Sequence, residues 1–502
     1  MARNSAKGGK REAGRGKGDA GGPASSAKKP LHYHLIGIAG TAMASLAGLL
    51  KAVGHTVTGS DENVYPPMST NLEQMGIAYA QGYKPENLTP APDIVVVGNV
   101  ISRGNPELEE VLIRKLRYTS AAVTIKEEFI WGHHSFAVAG THGKTTTTSL
   151  LAWVLESAGL NPSFLIGGVA ENFGSSYRLT DSKYFVIEAD EYDTAYFDKG
   201  PKMWHYLPDT AIVNNIEYDH ADIYRDEEAY KFAFARFINL VPKNGVVVAG
   251  WDSPIARELA QKSPAPVESF AYGDDSVKPP IGQLHWYARD VEFDESGTRF
   301  RAFRSSEEWG SIDTPLAGAF NVRNALAVIA AAESVKADRD GVREGFKTFA
   351  SVKRRMEVRG EVRGVTVIDD FAHHPTAIRE TIDAVRQKYK GRRIVAVYEP
   401  RSYTAQRREF QDDYARAFGG ADEVVFASLY RPDRYTKETA LDLAQLVRDL
   451  STDGKTAKEL KDADAIVSDL SPRLREKDVV LIMSNGGFGG IHQKLLDSLG
   501  SR

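Results

Sequence analysis

The chain contains no cysteine among its 502 residues. This absence excludes a disulfide scaffold, a thiolate metal site and a cysteine nucleophile. A strong net charge is also missing: the formal value is −4, so no global basic field indicates a nucleic-acid partner. Apart from one segment near the N-terminus, considered next, no stretch approaches the roughly 20 consecutive apolar residues of a membrane span. We therefore expect a cytoplasmic protein that neither binds nucleic acid nor inserts into a membrane.

Residues 1–30 have almost no large apolar side chain but contain eight Lys or Arg and two acids. Such a segment cannot bury enough surface to fold, so we predict a disordered basic tail. The apolar run that follows, "LHYHLIGIAGTAMASLAGLL", could be read as a signal peptide or a membrane anchor. His32 and His34 interrupt the run and no cleavage site precedes it, which favours a strand and a helix of a folded domain.

Alternation of strands and helices occurs three times along the chain, whose length suggests about three domains. The first segment has the strand "YHLIGIAG", a helix from about Thr41 to Val53 and the strand "HTVTGSD". The second begins with "SFAVAG", and the third, near residue 360, contains "GVTVIDDFA", "RRIVAVYEP", "EVVFAS" and "DVVLIMSNGG". This pattern predicts an α/β protein with parallel sheets. Alternating strands and turns at 286–314 predict an elaboration of the middle domain.

The stretch "AVAGTHGKTTTT", residues 137–148, predicts a phosphate-binding loop of unusual spacing. The general signature has a glycine five residues before Gly143, where this chain has Val138. A strand, a glycine turn and a helix start still direct backbone N–H groups at an anion. Lys144 supplies a charge for the β- and γ-phosphates, and Thr145 supplies a hydroxyl for Mg²⁺.

Acidic residues follow a second apolar strand in "YFVIEADEYD", which places Glu188, Asp190, Glu191 and Asp193 at its carboxyl end. Ligand sites of open α/β sheets lie at that end. Mg²⁺ usually takes only one or two protein carboxylates together with phosphate oxygens, so one or two of these acids suffice. In "NNIEYDHADIY", His220 ends another strand among acids and is a candidate metal ligand.

A histidine pair, His373-His374, has the composition of a metal site. Pro375 follows directly, and proline favours the first position of a helix. We therefore predict a helix start here.

Six motifs occur in a fixed order: "GTHGKTTTT", "EADEYD", "NNIEYDHADIY", "FNVRNALA", "KRRME" and "IDDFAHHPTAI". Together they resemble the Mur ligase family, the ATP-dependent amide-forming ligases of peptidoglycan assembly, over residues 31–502. The resemblance implies three domains: a Rossmann-like domain that binds UDP-N-acetylmuramate at 31–131, a P-loop ATPase domain with a parallel sheet at 132–357, and a Rossmann-like domain that binds the amine substrate at 358–502. Val138 then marks the family's short form of the phosphate loop.

The resemblance also implies a reaction and the residues for it. ATP converts a carboxylate into an acyl phosphate, which an amine attacks, and a tetrahedral intermediate expels phosphate. The implied catalytic residues are Lys144, Glu188, His220, Arg355 and Asp370. The implied ATP-binding residues are Gly140, Thr141, His142, Gly143, Lys144, Thr145, Thr146, Asn321, Asn324, Arg355 and Asp370. Two Mg²⁺ ions are expected, with Thr145, Glu188 and His220 as ligands.

Two positions depart from the family pattern. Several members have a carbamylated lysine about fifteen residues after the histidine, where this chain has Ala235. The adenine motif often reads His-Asn, and here it reads Phe320-Asn321.

The N-terminal turn "GIAGTAM" differs from the GxGxxG pattern at Ala39 and Ala42, so an NAD site is disfavoured. It resembles the UDP-binding loop of the family branch that uses UDP-N-acetylmuramate itself. The residues implied to bind the UDP-sugar are Gly37, Gly40, Thr41, Ala42 and Met43 near the diphosphate and Ser60 and Asp61 nearer the uridine.

Two reactions compete within that branch: addition of the tripeptide L-alanyl-γ-D-glutamyl-meso-diaminopimelate in cell-wall recycling, and addition of L-alanine in de novo synthesis. Motifs such as "GSDENVYPPMST" and "SNGGFGGIHQKLL" resemble the first. A tripeptide needs extra partners for its carboxylates, and Arg401 and Arg431 are the candidates, with Arg407, Arg408 and Arg434 as further ones. A folylpolyglutamate-type ligase and a non-enzymatic nucleotide-binding module remain alternatives. A monomer or weak homo-oligomer is expected.

Overall fold

The computed structural model describes residues 29–65, 68–219, 223–273, 279–430, 432–436 and 438–501. Most of the predicted basic tail and the predicted site residues His220 and Arg431 lie outside these ranges. Within them, the strands form sheets of five, ten and six strands and one two-stranded hairpin. Helices cover the sheets, which confirms the predicted α/β class. No helix of the described residues is long and apolar enough to cross a membrane.

The N-terminal sheet has five parallel strands in the order β3-β2-β1-β4-β5. The strands are β1 His32–Ile36, β2 Thr56–Asp61, β3 Ala78–Gln81, β4 Ile94–Val97 and β5 Tyr118–Ser120. The helices are α1 Thr41–Ala52, α2 Met68–Gln74, α3 Pro106–Ile113 and α4 Ala121–Ile125. Strand β4, with the sequence IVVV, is buried along its whole length, as expected for a parallel strand covered on both faces.

The central sheet has ten strands in the order β17-β16-β15-β14-β13-β12-β6-β9-β7-β8. The strands are β6 His134–Ala139, β7 Ser163–Ala170, β8 Ser175–Arg178, β9 Tyr184–Glu188, β12 Thr210–Val213, β13 Val246–Gly250, β14 Val267–Ala271, β15 Leu284–Asp294, β16 Gly297–Arg304 and β17 Glu307–Thr314, and the separate hairpin is β10 Asp193–Ala195 with β11 Asp198–Pro201. The helices are α5 Lys144–Ser157, α6 Glu227–Ile238, α7 Pro254–Ala260, α8 Ala319–Ser334 and α9 Arg339–Lys347. In this spatial order, the strands from β15 through β14, β13, β12, β6 and β9 to β7 are parallel to one another. Strand β8 at one edge and strands β16 and β17 at the other are antiparallel to their neighbours. The strands predicted at 286–314 are therefore confirmed.

The C-terminal sheet has six strands in the order β18-β19-β23-β20-β21-β22, and β18 is its antiparallel edge. The strands are β18 Glu357–Val362, β19 Val365–Asp370, β20 Ile394–Tyr398, β21 Glu423–Ala427, β22 Thr456–Leu460 and β23 Val479–Met483. The helices are α10 Pro375–Lys388, α11 Gln411–Ala417, α12 Leu443–Thr452, α13 Ala463–Leu470 and α14 Ile491–Gly500. Helix α10 begins directly after His374, whose ring accepts a hydrogen bond from the Thr376 N–H, as the sequence predicted.

One predicted strand is shorter than expected. Before the candidate ligand His220, the described residues form a strand over Thr210–Val213, and residues 214–219 lie outside it. The Asn214 amide donates to Thr147 Oγ1 over 2.9 Å, and Asn215 contacts the loop after β6. The two asparagine side chains that follow the strand therefore contact helix α5 and the loop before it.

Candidate active site

A cleft of about 1390 Å³ lies where residues of all three sheet units meet. Thr41 borders it from the N-terminal unit, Lys144 and Asn321 from the central unit, and Asp370 and Tyr403 from the C-terminal unit. The carboxyl ends of β6 and β9 open into this cleft, which is the usual place for a ligand in an open parallel sheet.

The loop between β6 and α5 requires glycine at two positions. Gly140 has a φ of +137° and Gly143 a φ of +81°, values that residues with a Cβ rarely adopt. A Cβ at Gly143 would lie 2.9 Å from Asn324 Oδ1, so the space is closed as well. The first helical hydrogen bond of α5 runs from Thr147 N to Gly143 O. The N–H groups before Thr147 therefore have no partner within the helix and can bind an anion.

Asn215 supports the turn between β6 and α5 through hydrogen bonds. The His142 N–H donates to Asn215 Oδ1 over 2.8 Å, and the Asn215 amide donates to His142 O over 3.3 Å. The Thr141 N–H donates to the Asn215 carbonyl over 3.0 Å. The backbone of His142 is therefore held by Asn215.

Lys144 makes an ion pair with Glu191 inside the cleft. Its Nζ lies 2.7 Å from Glu191 Oε2 and 2.8 Å from the Gly140 carbonyl oxygen, and the Glu191 side chain is only 1% exposed. Burial alone would lower the pKa of Lys144, but Glu191 and the nearby Asp190 raise it above its ordinary value. Lys144 is therefore a cation at neutral pH and has an anionic partner before any phosphate arrives.

Glu188 and Thr145, two predicted metal ligands, are in contact. Thr145 Oγ1 donates to Glu188 Oε1 over 2.8 Å, and the Gly167 N–H donates to Glu188 Oε2 over 2.7 Å. Burial and the neighbouring Asp190 raise the pKa of Glu188, which Lys144 partly opposes. Arg355 Nη2 donates to the same Thr145 hydroxyl over 3.2 Å, although the two residues are 210 positions apart.

Asp370 fixes the segment that connects the central and C-terminal sheets. Its carboxylate accepts from the Met356 N–H and the Ala372 N–H, each over 2.7 Å. Burial raises the pKa of Asp370, although Arg355 and these two N–H donors oppose the rise. The carboxylate thereby places Arg355, next to Met356, at the mouth of the phosphate loop.

The two predicted adenine asparagines lie at the start of α8, and both are buried. Asn321 borders the cleft, and its amide donates to Ala317 O over 2.8 Å. Asn324 donates to Asn321 Oδ1 over 3.1 Å and packs against Gly143. Asn324 therefore supports the turn of the phosphate loop as well as its neighbouring asparagine.

The N-terminal turn joins β1 to α1. Its Gly37 N–H and Ile38 N–H donate to the Ser60 carbonyl, and its Ala39 N–H donates to Asp61 Oδ2 over 3.0 Å. Gly40, Thr41 and Ala42 are exposed, and Thr41 borders the cleft.

Two other residues predicted to bind the UDP-sugar have buried side chains. Met43 packs in the hydrophobic core. The buried Ser60 hydroxyl donates to Glu107 Oε1 over 2.9 Å. Ser60 therefore presents a carbonyl to the turn and its side chain to the interior.

Three family models match the chain in sequence order. The model described as Mur ligase family, catalytic domain, matches residues 32–127, the Mur ligase middle domain matches 138–332, and the Mur ligase glutamate ligase domain matches 354–486. The UDP-N-acetylmuramate–L-alanyl-gamma-D-glutamyl-meso-2,6-diaminoheptandioate ligase of Haemophilus influenzae is 44% identical over 470 residues, which are 93% of this chain and 99% of that protein. The chain belongs to the Mur ligase family. The resemblance stated from the ordered motifs is confirmed, and the chain is an amide-forming ligase.

Two further Mur ligase relatives cover nearly the whole chain. The ligase of the same name from Escherichia coli is 42% identical over 474 residues, which are 94% of this chain and 99% of that protein. The crystal structure of a murein peptide ligase from Psychrobacter arcticus has a TM-score of 0.69 and 37% identity, and the match covers 94% of this chain and 99% of that one. Ligases of this family use ATP and generally need Mg²⁺.

Sequence reasoning missed the partners of the Mur ligase site residues. Nothing in the sequence distinguishes Glu191 from the other three acids of its motif, yet it is the acid that pairs with Lys144. Asn214 and Asn215 stand in a motif from which only His220 was selected. The sequence signal for these two asparagines is their position directly after an apolar strand, because the ends of parallel strands border the ligand site.

Arg401, a predicted peptide-binding residue, lies 4.0 Å from the Tyr430 ring centre and 3.6 Å from Glu399. A Cβ at Gly486 would lie 2.3 Å from Arg401, so the arginine packs directly on the turn "SNGG".

Proposed function

We propose that this chain joins L-alanyl-γ-D-glutamyl-meso-diaminopimelate to UDP-N-acetylmuramate and converts ATP to ADP and phosphate. Thr145 carries the proposal, because its hydroxyl lies 2.8 Å from Glu188 and 3.2 Å from Arg355 and so unites the phosphate loop, a strand-end acid and the interdomain segment. The names of the relatives that are 44% and 42% identical support the choice of tripeptide. The reaction is assigned to the cytoplasm, and the oligomeric state assigned to the enzyme is a monomer or weak homo-oligomer.

The residues at the phosphate loop fit Mg²⁺. A threonine hydroxyl and a carboxylate 2.8 Å apart are hard oxygen donors, which Mg²⁺ prefers, and Glu188 is held by Gly167 in a fixed orientation. Thr145 is assigned to one ion, and Glu188 with His220 to a second. Bound Mg²⁺ would neutralise charge on the transferred phosphoryl group.

The protein's own side chains and backbone N–H groups support the two chemical steps of the reaction. A carboxylate oxygen of the sugar substrate attacks the γ-phosphorus of ATP, and ADP leaves. Lys144 and the N–H groups of the first turn of α5 stabilise negative charge on the transferred group. The amine then attacks the acyl carbon and phosphate leaves. Water must be excluded meanwhile, and Arg355 and Asp370 close the cleft from the C-terminal side.

The two substrates are assigned to opposite sides of the phosphate loop. The exposed turn Gly40–Ala42 and the start of α1 bind the UDP diphosphate through backbone N–H groups. The peptide is assigned to the C-terminal unit, where Tyr403 and Asn485 border the cleft. Arg401 and Arg431 are assigned to its carboxylates.

A comparison of amine substrates tests the function. Phosphate release from ATP should depend on UDP-N-acetylmuramate and on the tripeptide together. If L-alanine alone supports equal turnover, the reaction is the alanine addition of de novo synthesis. Exchange of ¹⁸O between bridging and non-bridging positions of ATP, with the sugar nucleotide present and no amine, should reveal the acyl phosphate.

A pair of acid substitutions tests the assigned site. Glu188→Gln should reduce turnover by about two to three orders of magnitude, as removal of one charge-stabilising group does in other enzymes. Asp193→Asn is the matched control, because Asp193 stands in the same motif but pairs with Lys199 over 2.6 Å. Equal turnover in the two variants would contradict the assignment.

A further inference from the structure

Three side chains from separate parts of the fold meet beside the phosphate loop. His142 lies in the turn after β6, Glu217 in the segment after β12, and His374 at the start of α10. One ligand atom of each lies within 4.8 Å of the others. We refer to these three residues as the histidine cluster, which joins the central unit to the C-terminal unit.

The distances within the histidine cluster suit a metal ion. His142 Nε2 lies 3.3 Å from Glu217 Oε2, and His374 Nδ1 lies 3.9 Å from the same oxygen. Ligands at about 2.0–2.1 Å from a tetrahedral Zn²⁺ are about 3.3 Å apart. Small side-chain rotations would therefore bring all three atoms into one coordination shell.

Burial and weak hydrogen bonding leave the His374 ring available to a ligand, while His142 Nε2 and Glu217 Oε2 contact each other. The side chains of His142 and His374 are 14% and 9% exposed, whereas Glu217 is 39% exposed and leaves room for a water as fourth ligand. His374 Nδ1 accepts only a long bond of 3.4 Å from the Thr376 N–H. His374 Nε2 is buried without a hydrogen-bond partner among the described residues.

Charge also favours a cation here. Burial and the neighbouring His142 lower the pKa of His374 to about 4, so its ring is neutral at neutral pH. Burial alone would raise the pKa of Glu217, but hydrogen bonds from His142 and Thr376 lower it to about 2. His374 thus offers a neutral imidazole and Glu217 an ionised carboxylate.

We propose that His142, Glu217 and His374 bind a transition-metal ion of the Zn²⁺ class, separate from the Mg²⁺ assigned to Thr145 and Glu188. Two imidazoles and one carboxylate suit Zn²⁺, Co²⁺ or Ni²⁺, whereas Mg²⁺ prefers oxygen ligands alone. The ion connects the turn before Lys144 to the residue that caps α10, so its occupancy links the phosphate loop to the C-terminal unit.

Zn²⁺ titration of the full chain against a chromophoric chelator, in excess Mg²⁺, tests the proposal. We expect one Zn²⁺ per chain at the histidine cluster. His374→Asn keeps a side chain that caps a helix but removes a ligand, and Zn²⁺ affinity should fall about 100-fold, at least as much as loss of an outer-shell partner does elsewhere. Glu217→Gln provides a second variant if the first fails to fold.

Glu188→Gln is the matched control, because it alters the assigned Mg²⁺ ligands and leaves the histidine cluster intact. Zn²⁺ affinity should remain within about threefold in this variant, since the cluster keeps all three ligands. Zn²⁺ binding that is lost in Glu188→Gln and unchanged in both His374→Asn and Glu217→Gln would overturn the proposal.

Co²⁺ gives an independent readout that needs no catalytic activity. A four-coordinate site with imidazole ligands absorbs visible light strongly, whereas an octahedral oxygen site absorbs weakly. The Co²⁺-loaded wild type and Glu188→Gln should show the strong bands, and His374→Asn and Glu217→Gln should lose them. Weak, octahedral bands in the wild type would contradict the proposal.

Discussion

Two turns of this protein share the order of strand, glycine-containing turn and helix, but different side chains surround them. Strand β1 leads through Gly37–Gly40 into α1, and β6 leads through Gly140–Gly143 into α5. In the first, a carbonyl and the Asp61 carboxylate bind the N–H groups of the turn, and the basic residue of α1, Lys51, stands at its far end. In the second, Lys144 is the first residue of the helix. A glycine turn therefore provides general affinity for anions, and neighbouring side chains decide whether phosphoryl chemistry follows.

Replacement of the cation should separate the two turns most strongly. Lys144→Ala should reduce turnover about 1000-fold, or about 4 kcal/mol, because one charge at the transferred phosphoryl group is lost. Binding of UDP-N-acetylmuramate, measured by calorimetry, should not change. Lys51→Ala is the matched control and should retain full turnover, since its amine donates to the Gly76 carbonyl at the surface. Similar losses in both variants would remove the distinction.

The N-terminal turn depends on the buried carboxylate of Glu107. Glu107 is fully buried and accepts hydrogen bonds from His34, Ser60 and Asn87. Glu107→Ala removes the buried acceptor of these three groups and should lower the free energy of unfolding by about 3 kcal/mol, measured by urea denaturation.

Glu109, on the same helix, provides the control for Glu107. It pairs at the surface with Arg103, and such pairs contribute little. Glu109→Ala should therefore leave the denaturation midpoint unchanged. Equal destabilisation by the two substitutions would mean that the buried network does not support the turn.

The phosphate loop depends in the same way on Asn215. Asn215→Ala removes both side-chain bonds to His142 and should raise the KM for ATP about tenfold, or about 1.4 kcal/mol, since a net hydrogen bond contributes about that much. The KM for the sugar nucleotide should not rise. Asn239→Ala, at the exposed end of α6, is the control and should leave both values unchanged. A rise in both values with Asn215→Ala would show that the two turns are not independent.

The smallest effect is expected at Asp61. Asp61→Asn keeps an oxygen acceptor for the Ala39 N–H, so the KM for the sugar nucleotide should stay within about twofold. Asp61→Ala removes the acceptor and should raise this KM more. A large effect of Asp61→Asn would instead indicate that the charge itself contacts the uridine nucleotide, as the sequence resemblance implied.

Local sequence patterns predicted the strands, the start of α5 at the phosphate loop and the helix after His374. They did not predict which atoms meet across the fold. Ser60 and Glu107 are 47 positions apart, and Arg355 and Thr145 are 210 apart, so their contacts depend on how sheets and helices pack. The pairing of Lys144 with Glu191 was missed for the same reason. Spacing places Lys144 at a helix start and Glu191 after a strand end, but only the packed structure shows that their charges already neutralise each other.

The ion pair between Lys144 and Glu191 makes nucleotide binding an exchange of anions. A phosphate that binds Lys144 must displace a carboxylate that is already desolvated and hydrogen-bonded. The most highly charged nucleotide gains most from this exchange, and a nucleotide that has lost its terminal phosphate gains less. Glu191 would thus compete with ATP for Lys144, so the same residue would limit the affinity for ATP and assist the release of ADP.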